Sequence, residues 1–455
     1  MEMILEFLRD VLSQPALLIG IMSCVGLIAL KRPFHKIMTG TLKPILGYLM
    51  LAAGAGVIVS NLDPLGKMIE HGFHITGVVP NNEAIVAVAQ KVLGVETMSI
   101  LVVGLLMNLL IARFTKFKYV FLTGHHSLFM ACLMSAVLGT AGLSGIELIL
   151  VGGFLMGAWS AISPAIGQSY TSKVTDGDEI ALGHFGSLGY YLSAWVAKYV
   201  GKAEESTEDI EIPEKRGFLR DSTLSTALTM IVFYLIAAIA AGSEFVATLS
   251  GSMSPYLFAV MSAMNFAVGV AIVYSGVRMI LGDLIPAFQG IATKIIPNAI
   301  PAVDCAVFFT YAPTAVVLGF ISSFIGGIIG MLILGAVGGV LIIPGLVPHF
   351  FCGATAGIYG NATGGRRGAA VGAFLNGLAI TFLPALALPV LGQLGFQNTT
   401  FGDADFAVMG LVLGNAFEWI GMAGIYGVVV IAALVLIIPN FIKTKGKVIN
   451  YVEEE

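Results

Sequence analysis

The sequence predicts an all-α polytopic membrane protein, and three observations carry that prediction. From Cys305 to Gly365 the chain runs sixty-one residues without an Asp, Glu, Lys or Arg. A helix needs roughly 20 apolar residues to cross a hydrocarbon core, so this stretch alone has room for two crossings and more. Hydrophobic residues make up 57% of the chain and charged residues only 11%, with a mean hydropathy of +0.93. That balance is far from that of a water-soluble domain. The 56 glycines suit close helix packing inside a bilayer, where small residues let backbones approach.

The elements follow in order. MEMILEFLRDVLSQP lacks the basic start and small-residue cleavage site of a signal peptide and reads as a short amphipathic interfacial helix. Charge-poor windows predict spans at 15–30, 44–61, 97–112, 119–140, 143–166, 222–248 and 254–277. Two or three more fall within 302–362, then one at 368–394 and a last one at 406–440, about 11 in all. Residues 63–94 and 283–301 are semi-polar and carry Pro and Gly. Non-helical backbone at membrane depth survives only where protein or a polar cavity surrounds it, so both segments are expected to be re-entrant hairpins.

Basic residues set the orientation. With residue 1 outside and eleven crossings, 20 of the 23 Lys and Arg fall on the inner side, leaving only Arg9, Lys67 and Lys91 outside. Cytoplasmic loops carry that excess, so the C-terminus is placed in the cytoplasm. The hydrophilic piece 201–221 then links a first half, 1–200, to a second half, 222–400, of opposite orientation. Residues 401–455 add a final helix and tail. Each half has a broken segment after its second span, the pattern of an inverted repeat whose substrate sits where the breaks meet.

Composition excludes several classes. A net charge of -4 gives no reason to invoke nucleic acid. Cys24, Cys132, Cys305 and Cys352 are dispersed, with no metal-type spacing. There is no Walker loop for ATP and no regular arginine ladder of a voltage sensor. No cofactor is indicated.

Polar groups inside a membrane are costly and are functional candidates by default. Leu122-Thr123-Gly124-His125-His126 opens the fourth span. A neutral imidazole offers one donor and one acceptor, which suits a polyhydroxylated ligand; the alternative is a histidine tied to a backbone carbonyl. Adjacent histidines diverge by about 100° on a helix, so one of the pair is expected to face the site. His184 lies between Gly183 and Gly186, which permit a sharp turn or a close backbone approach. Asp304 stands just before the charge-free run, where a carboxylate needs a partner, a proton or ligand hydroxyls; its other reading is a cap on a broken helix. Asn82 and Glu83 occupy the broken segment of the first half, either as ligands or as an exposed loop with a helix cap. Asp176 and Asp178 read mainly as caps for the following helix.

In order along the chain stand LTGHH at 122–126, VTDG at 174–177, GH at 183–184, AVDCA at 302–306, YAPTAVV at 311–317 and IIPGLVP at 342–348. With these motifs the chain resembles, almost end to end, the ascorbate-specific IIC permease of the bacterial phosphoenolpyruvate-dependent phosphotransferase system. The resemblance implies a homodimer of eleven-helix protomers, each with a scaffold (V-motif) domain and a core domain that slides in an elevator movement. It implies soluble IIB and IIA partners that phosphorylate the sugar as it emerges, and no phosphorylation site on this chain. Ligand contacts would fall on His125, His184 and Asp304, and near Asn82 and Glu83. The chain departs where the family has glutamines: Phe129 and Phe185 stand there. Aromatic faces stack on a ring but cannot read hydroxyls, so the ligand implied is ascorbate or a related sugar acid, lactone or other carbohydrate. Two other classes compete: an ion-gradient-driven secondary transporter of a small polar solute, and a membrane enzyme using His125, His184 and Asp304. The latter lacks a candidate nucleophile.

Overall fold

The computed structural model describes residue 11 and residues 14–441, apart from 75–76, 81, 178, 211–221 and 393–399. The expected N-terminal interfacial helix and most of the 201–221 linker therefore lie outside the described residues, as does the tail beyond 441.

Helices α1 (Pro15–Ala29) and α2 (Phe34–Phe73) open the chain, followed by α3 (Asn82–Phe114). Strand β1 (Tyr119–Phe121) leads into α4 (Gly124–Thr140), and α5 (Gly145–Thr175) leads to strand β2 (Ala181–Leu182) and α6 (Ser187–Val200). After the linker come α7 (Ser222–Ala241), α8 (Ser243–Ser250) and α9 (Pro255–Lys294). Strand β3 (Ile300–Val303) runs into a 3₁₀ turn (Cys305–Thr310), then α10 (Pro313–Ala336), α11 (Leu346–Gly392), α12 (Ala404–Ile420) and α13 (Met422–Phe441). Among the described residues, seven helices are long and apolar enough to cross a membrane, or eight if the bent pair at Thr226–Ala241 and Ser243–Ser250 is one span. The chain is a multi-pass membrane protein.

Several elements depart from the sequence expectation, for local reasons. Residues 63–73 continue α2 through Pro64, and 283–294 continue α9 through Pro286. Membrane helices tolerate proline where neighbours re-satisfy the freed backbone. Among the described residues of the two segments, those left outside helix and strand are 74, 77–80 and 295–299. The expected single last span is two helices, parted at Gly421, whose φ of 66° stops α12. Helix α11 folds back at Gly364 and Gly365, which leave helical geometry. A Cβ on Gly360 would meet the Gly368 carbonyl at 2.4 Å, so the two arms lie against each other as a hairpin. Asp176 closes α5 in the left-handed conformation rather than capping the next helix.

Packing sorts the helices into two groups. Helices α1, α2, α7, α8 and α9 pack on one another, while α3–α6 and α10–α13 form the second group; contacts between the groups are sparse. The first group turns on α2 and α9, each 40 residues long. They cross at Gly47 and Gly54 against Gly276 and Gly269, where each glycine's missing Cβ is replaced by the other helix's backbone within 3 Å.

The second group holds a three-stranded parallel sheet of order β1-β3-β2. Tyr119, Val120 and Phe121 pair with Ile300, Pro301 and Ala302, and Ala181 and Leu182 pair with Ala302 and Val303. Pairing extends past the strand ends: Leu122 N–H donates to Ala302 O at 2.9 Å and Gly183 N–H to Val303 O at 2.7 Å. All three strands point the same way. A side chain at 183 has no room, since its Cβ would sit 2.4 Å from Ala302 O. Gly183→Ala is expected to push β2 off the central strand and cost about 1–3 kcal/mol. Thermal unfolding of the purified protein in detergent checks this as a lowered Tm.

Candidate functional site

Parallel strands deliver whatever follows them to one end, and ligands of parallel sheets sit beyond the carboxyl ends of the strands. Here β1 is followed by His125 and His126 on the first turn of α4, β2 by His184, and β3 by Asp304 and Cys305. All five line one cavity of about 790 Å³, within the range of small-molecule sites. Helix α2 contributes another wall through Tyr48, Leu51, Ala55 and Val59, so the cavity lies between the two helix groups. Residues 77–80 and the turn at 337–345 complete it. Val78 and Ile342 form a parallel bridge there, and Val79, Pro80 and Pro344 face the space.

Asp304 is both a cap and a partnered carboxyl. Its Oδ1 accepts from Ala306 N–H at 3.2 Å and so caps the 3₁₀ turn, while Oδ2 lies 3.3 Å from His125 Nε2. On the other side of that ring, Tyr48 hydroxyl lies 3.3 Å from Nδ1. In its neutral form His125 thus donates from Nε2 to Asp304 and accepts at Nδ1 from Tyr48.

Both adjacent histidines face the cavity, against the expectation of one. The fan-out of neighbouring positions is absorbed because the cavity wraps the end of α4. His126 is buried, its ring centroid 3.8 Å from that of His184 and 5.6 Å from Phe406. Neither ring is free at Nδ1. Phe185 N–H donates to His126 Nδ1 at 3.3 Å, and Gly186 N–H donates to His184 Nδ1 at 3.1 Å, with Tyr190 hydroxyl 3.0 Å from the same atom. A backbone N–H can only donate, so Nδ1 carries no proton in either ring and Nε2 carries it. In these two rings the acceptor is spent on the backbone, and the donor remains for a ligand.

The two phenylalanines part company. Phe129 lines the cavity, its ring steeply inclined to that of His125 with centroids 5.8 Å apart. Phe185 does not reach it. Its ring is fully buried and stacked on Phe121 at 4.6 Å, because the extended turn after β2 points successive side chains to opposite sides. Asn82 does line the cavity, and the side chain of Glu83 lies outside the described residues.

Sequence reasoning missed Asp403. It is 5% exposed, lines the cavity, and binds Asn82 Nδ2 through Oδ2 at 2.6 Å. Its Oδ1 accepts from Cys352 Sγ at 3.0 Å and lies 3.8 Å from His184 Nδ1. Asn82 also accepts Gly402 N–H at 2.9 Å, tying the first break to this segment. Two residues on, buried Asp405 binds Trp159 Nε1, Ser187 Oγ and Leu188 N–H, which fixes the start of α6 and with it the His184 turn. The signal was the pair of acids in FGDAD immediately before an apolar helix.

His126, His184 and Asp403 each bring a ligand-type atom within 4.8 Å of the others, as do His184, Asp304 and Cys305. With Nδ1 of both rings held by backbone N–H, the groups left for a ligand are N–H donors and carboxylate acceptors, a set matched to hydroxyls. Nitrogen-15 spectra of ring-labelled protein are expected to show His126 and His184 as Nε2–H tautomers with unprotonated Nδ1. A protonated Nδ1 in either ring would contradict this.

Among curated proteins, the "Ascorbate-specific PTS system EIIC component" of Mycoplasma pneumoniae (strain ATCC 29342 / M129 / Subtype 1) is 26% identical over 417 residues. That match covers 78% of this chain and 62% of the relative, so the chain spans less than two thirds of that relative's length. Residues 10–405 match the family described as "PTS system sugar-specific permease component", a range that takes in all three strands and the cavity aspartates Asp63, Asp304 and Asp403. The chain belongs to the sugar-specific permease component family of the phosphotransferase system.

Proposed function

We propose that this chain is a IIC permease that carries ascorbate or a related carbohydrate across the bacterial inner membrane. The observation that carries the reading is the convergence of His125, His184 and Asp304 from three separate strand ends onto one cavity between two helix groups. Membrane transporters hold substrate at such a junction of broken segments.

The remaining features are of one piece with that reading. The first group, α1, α2 and α7–α9, is the scaffold, and the second is the core that slides against it in an elevator movement. Each group draws one part from 1–200 and one from 222–441, as an inverted repeat of two halves would, and the whole makes eleven crossings in a homodimer. With the basic loops in the cytoplasm, the N-terminus is outside and so is the end of α2. The cavity mouth, lined by Asp63, Lys67 and Glu70, then opens outward. Transport needs no ion gradient. A separate IIB subunit, charged by IIA, phosphorylates the sugar on the inner side, and the added charge prevents its return.

Uptake into right-side-out vesicles is expected to require phosphoenolpyruvate with IIA and IIB inside and to survive an ionophore. Accumulation driven by a proton or sodium gradient alone would favour a secondary transporter instead. His125→Ala, His184→Ala and Asp304→Asn should each abolish ligand-induced thermal stabilisation while leaving a folded, monodisperse protein. The loss of a charged or ring hydrogen bond costs about 1.5–3 kcal/mol, or roughly ten- to a hundredfold in affinity. Undiminished stabilisation in all three would remove the site.

A further inference from the structure

The cavity floor is negative. Among the described residues lining the cavity, the ionisable acids are Asp63, Glu70, Asp304 and Asp403, and Lys67 is the cation. Lys67 is half exposed and already paired with Asp63 at 2.8 Å. No Arg or Lys among the described residues stands beside the buried pair, Asp304 and Asp403.

The histidines do not reverse that sign. Protonating His126 or His184 at Nδ1 would set an N–H against the N–H of Phe185 or Gly186, so geometry holds both rings neutral. His125 can pair with Asp304. Asp403 has no such partner: the groups that bond it, Asn82 and Cys352, are neutral donors.

Helix N-termini near this space could attract an anion, and resident acids have taken up two of them. Asp304 caps the 3₁₀ turn and Asp405 takes the Ser187 and Leu188 donors of α6, while Asp403 stands at the N-cap position of α12 without bonding its N–H groups.

Resting on the carbohydrate reading above, we propose that Asp403 is a second ligand-binding carboxylate, set with Asp304 around His184, and that the pair selects an uncharged polyhydroxylated ligand over sugar acids and ascorbate. A hydroxyl satisfies both kinds of group in the floor: its hydrogen goes to Asp304 or Asp403, and its oxygen accepts from His126 or His184. A carboxylate or enolate offers acceptors only. It would meet two histidine donors and then face carboxylates in a low-dielectric space, where like charges repel strongly. Phe129 supplies an apolar face for the carbon-bound hydrogens of such a ligand.

The test uses the full purified chain and matched probes: hexitols and aldohexoses, the aldonates of the same configuration, and L-ascorbate, compared by calorimetry or thermal shift. The wild-type protein is expected to bind at least one uncharged member about tenfold or more tightly than its aldonate and than ascorbate. Asp403→Asn should weaken the uncharged ligand by roughly tenfold and strengthen the matching aldonate, so that the preference narrows or inverts. A purely structural role would weaken both alike and leave the ratio unmoved, which would overturn the assignment of Asp403. Tighter wild-type binding of an aldonate or ascorbate would overturn the charge selection and leave the permease reading standing. If the folded protein binds no member of the panel, the carbohydrate reading fails, and this inference with it.

Discussion

Everything at the site depends on satisfying the backbone of β3 inside the membrane protein. Four residues of extended chain at that depth expose N–H and C=O groups that lipid cannot satisfy, at several kcal/mol for each one left open. The answer here is a strand on each side, with β1 and β2 both parallel to β3. Parallel pairing forces a common direction, and direction decides where the next residues go. His125, His126, His184, Asp304 and Cys305 are neighbours because their preceding strands share a ladder, although 179 positions separate the first from Asp304 in the chain. Gly183 is the point where that ladder tolerates no side chain.

A second layer fixes what those residues present. The turn after β2 sends two successive N–H groups, from Phe185 and Gly186, to the Nδ1 atoms of two different histidines. One short loop thereby sets both tautomers. Asp405 holds that loop from behind through Ser187 and Leu188, and its own N–H donates to Phe185 O at 2.9 Å. The chemistry offered to a ligand is thus decided by residues that never touch it, as supporting contacts commonly decide it in binding sites.

Much of this was legible in the sequence. The membrane class followed from charge spacing, and His125, His184, Asp304 and Asn82 were marked because polar groups in apolar surroundings are expensive. Segments 63–73 and 283–294 were misread because proline was weighed as it acts in water; inside a bundle, neighbours repair what it removes. The split of the last span at Gly421 needed a backbone angle that composition does not carry. Asp403 was passed over because it stands just ahead of the last predicted span, 406–440, outside the apolar windows in which polar groups were sought. Only its fold-back onto Asn82, more than 300 positions earlier, turns it into a cavity wall. Phe129 and Phe185 differ in the same way: two aromatic residues near two histidines look alike until the strand register sends one ring inward.

The crossing of α2 and α9 has a mechanical consequence. At Gly47, Gly54, Gly269 and Gly276 the two main chains touch with nothing between them. Each helix is about 60 Å long by its residue count, twice the depth of a hydrocarbon core, so the pair is braced near its middle like crossed beams pinned at two bolts. Neither acyl chain nor water can enter that seam. Bending of one beam is therefore handed to the other, and Tyr48, one residue beyond a pin, is carried on that braced frame with its hydroxyl 3.3 Å from His125 Nδ1.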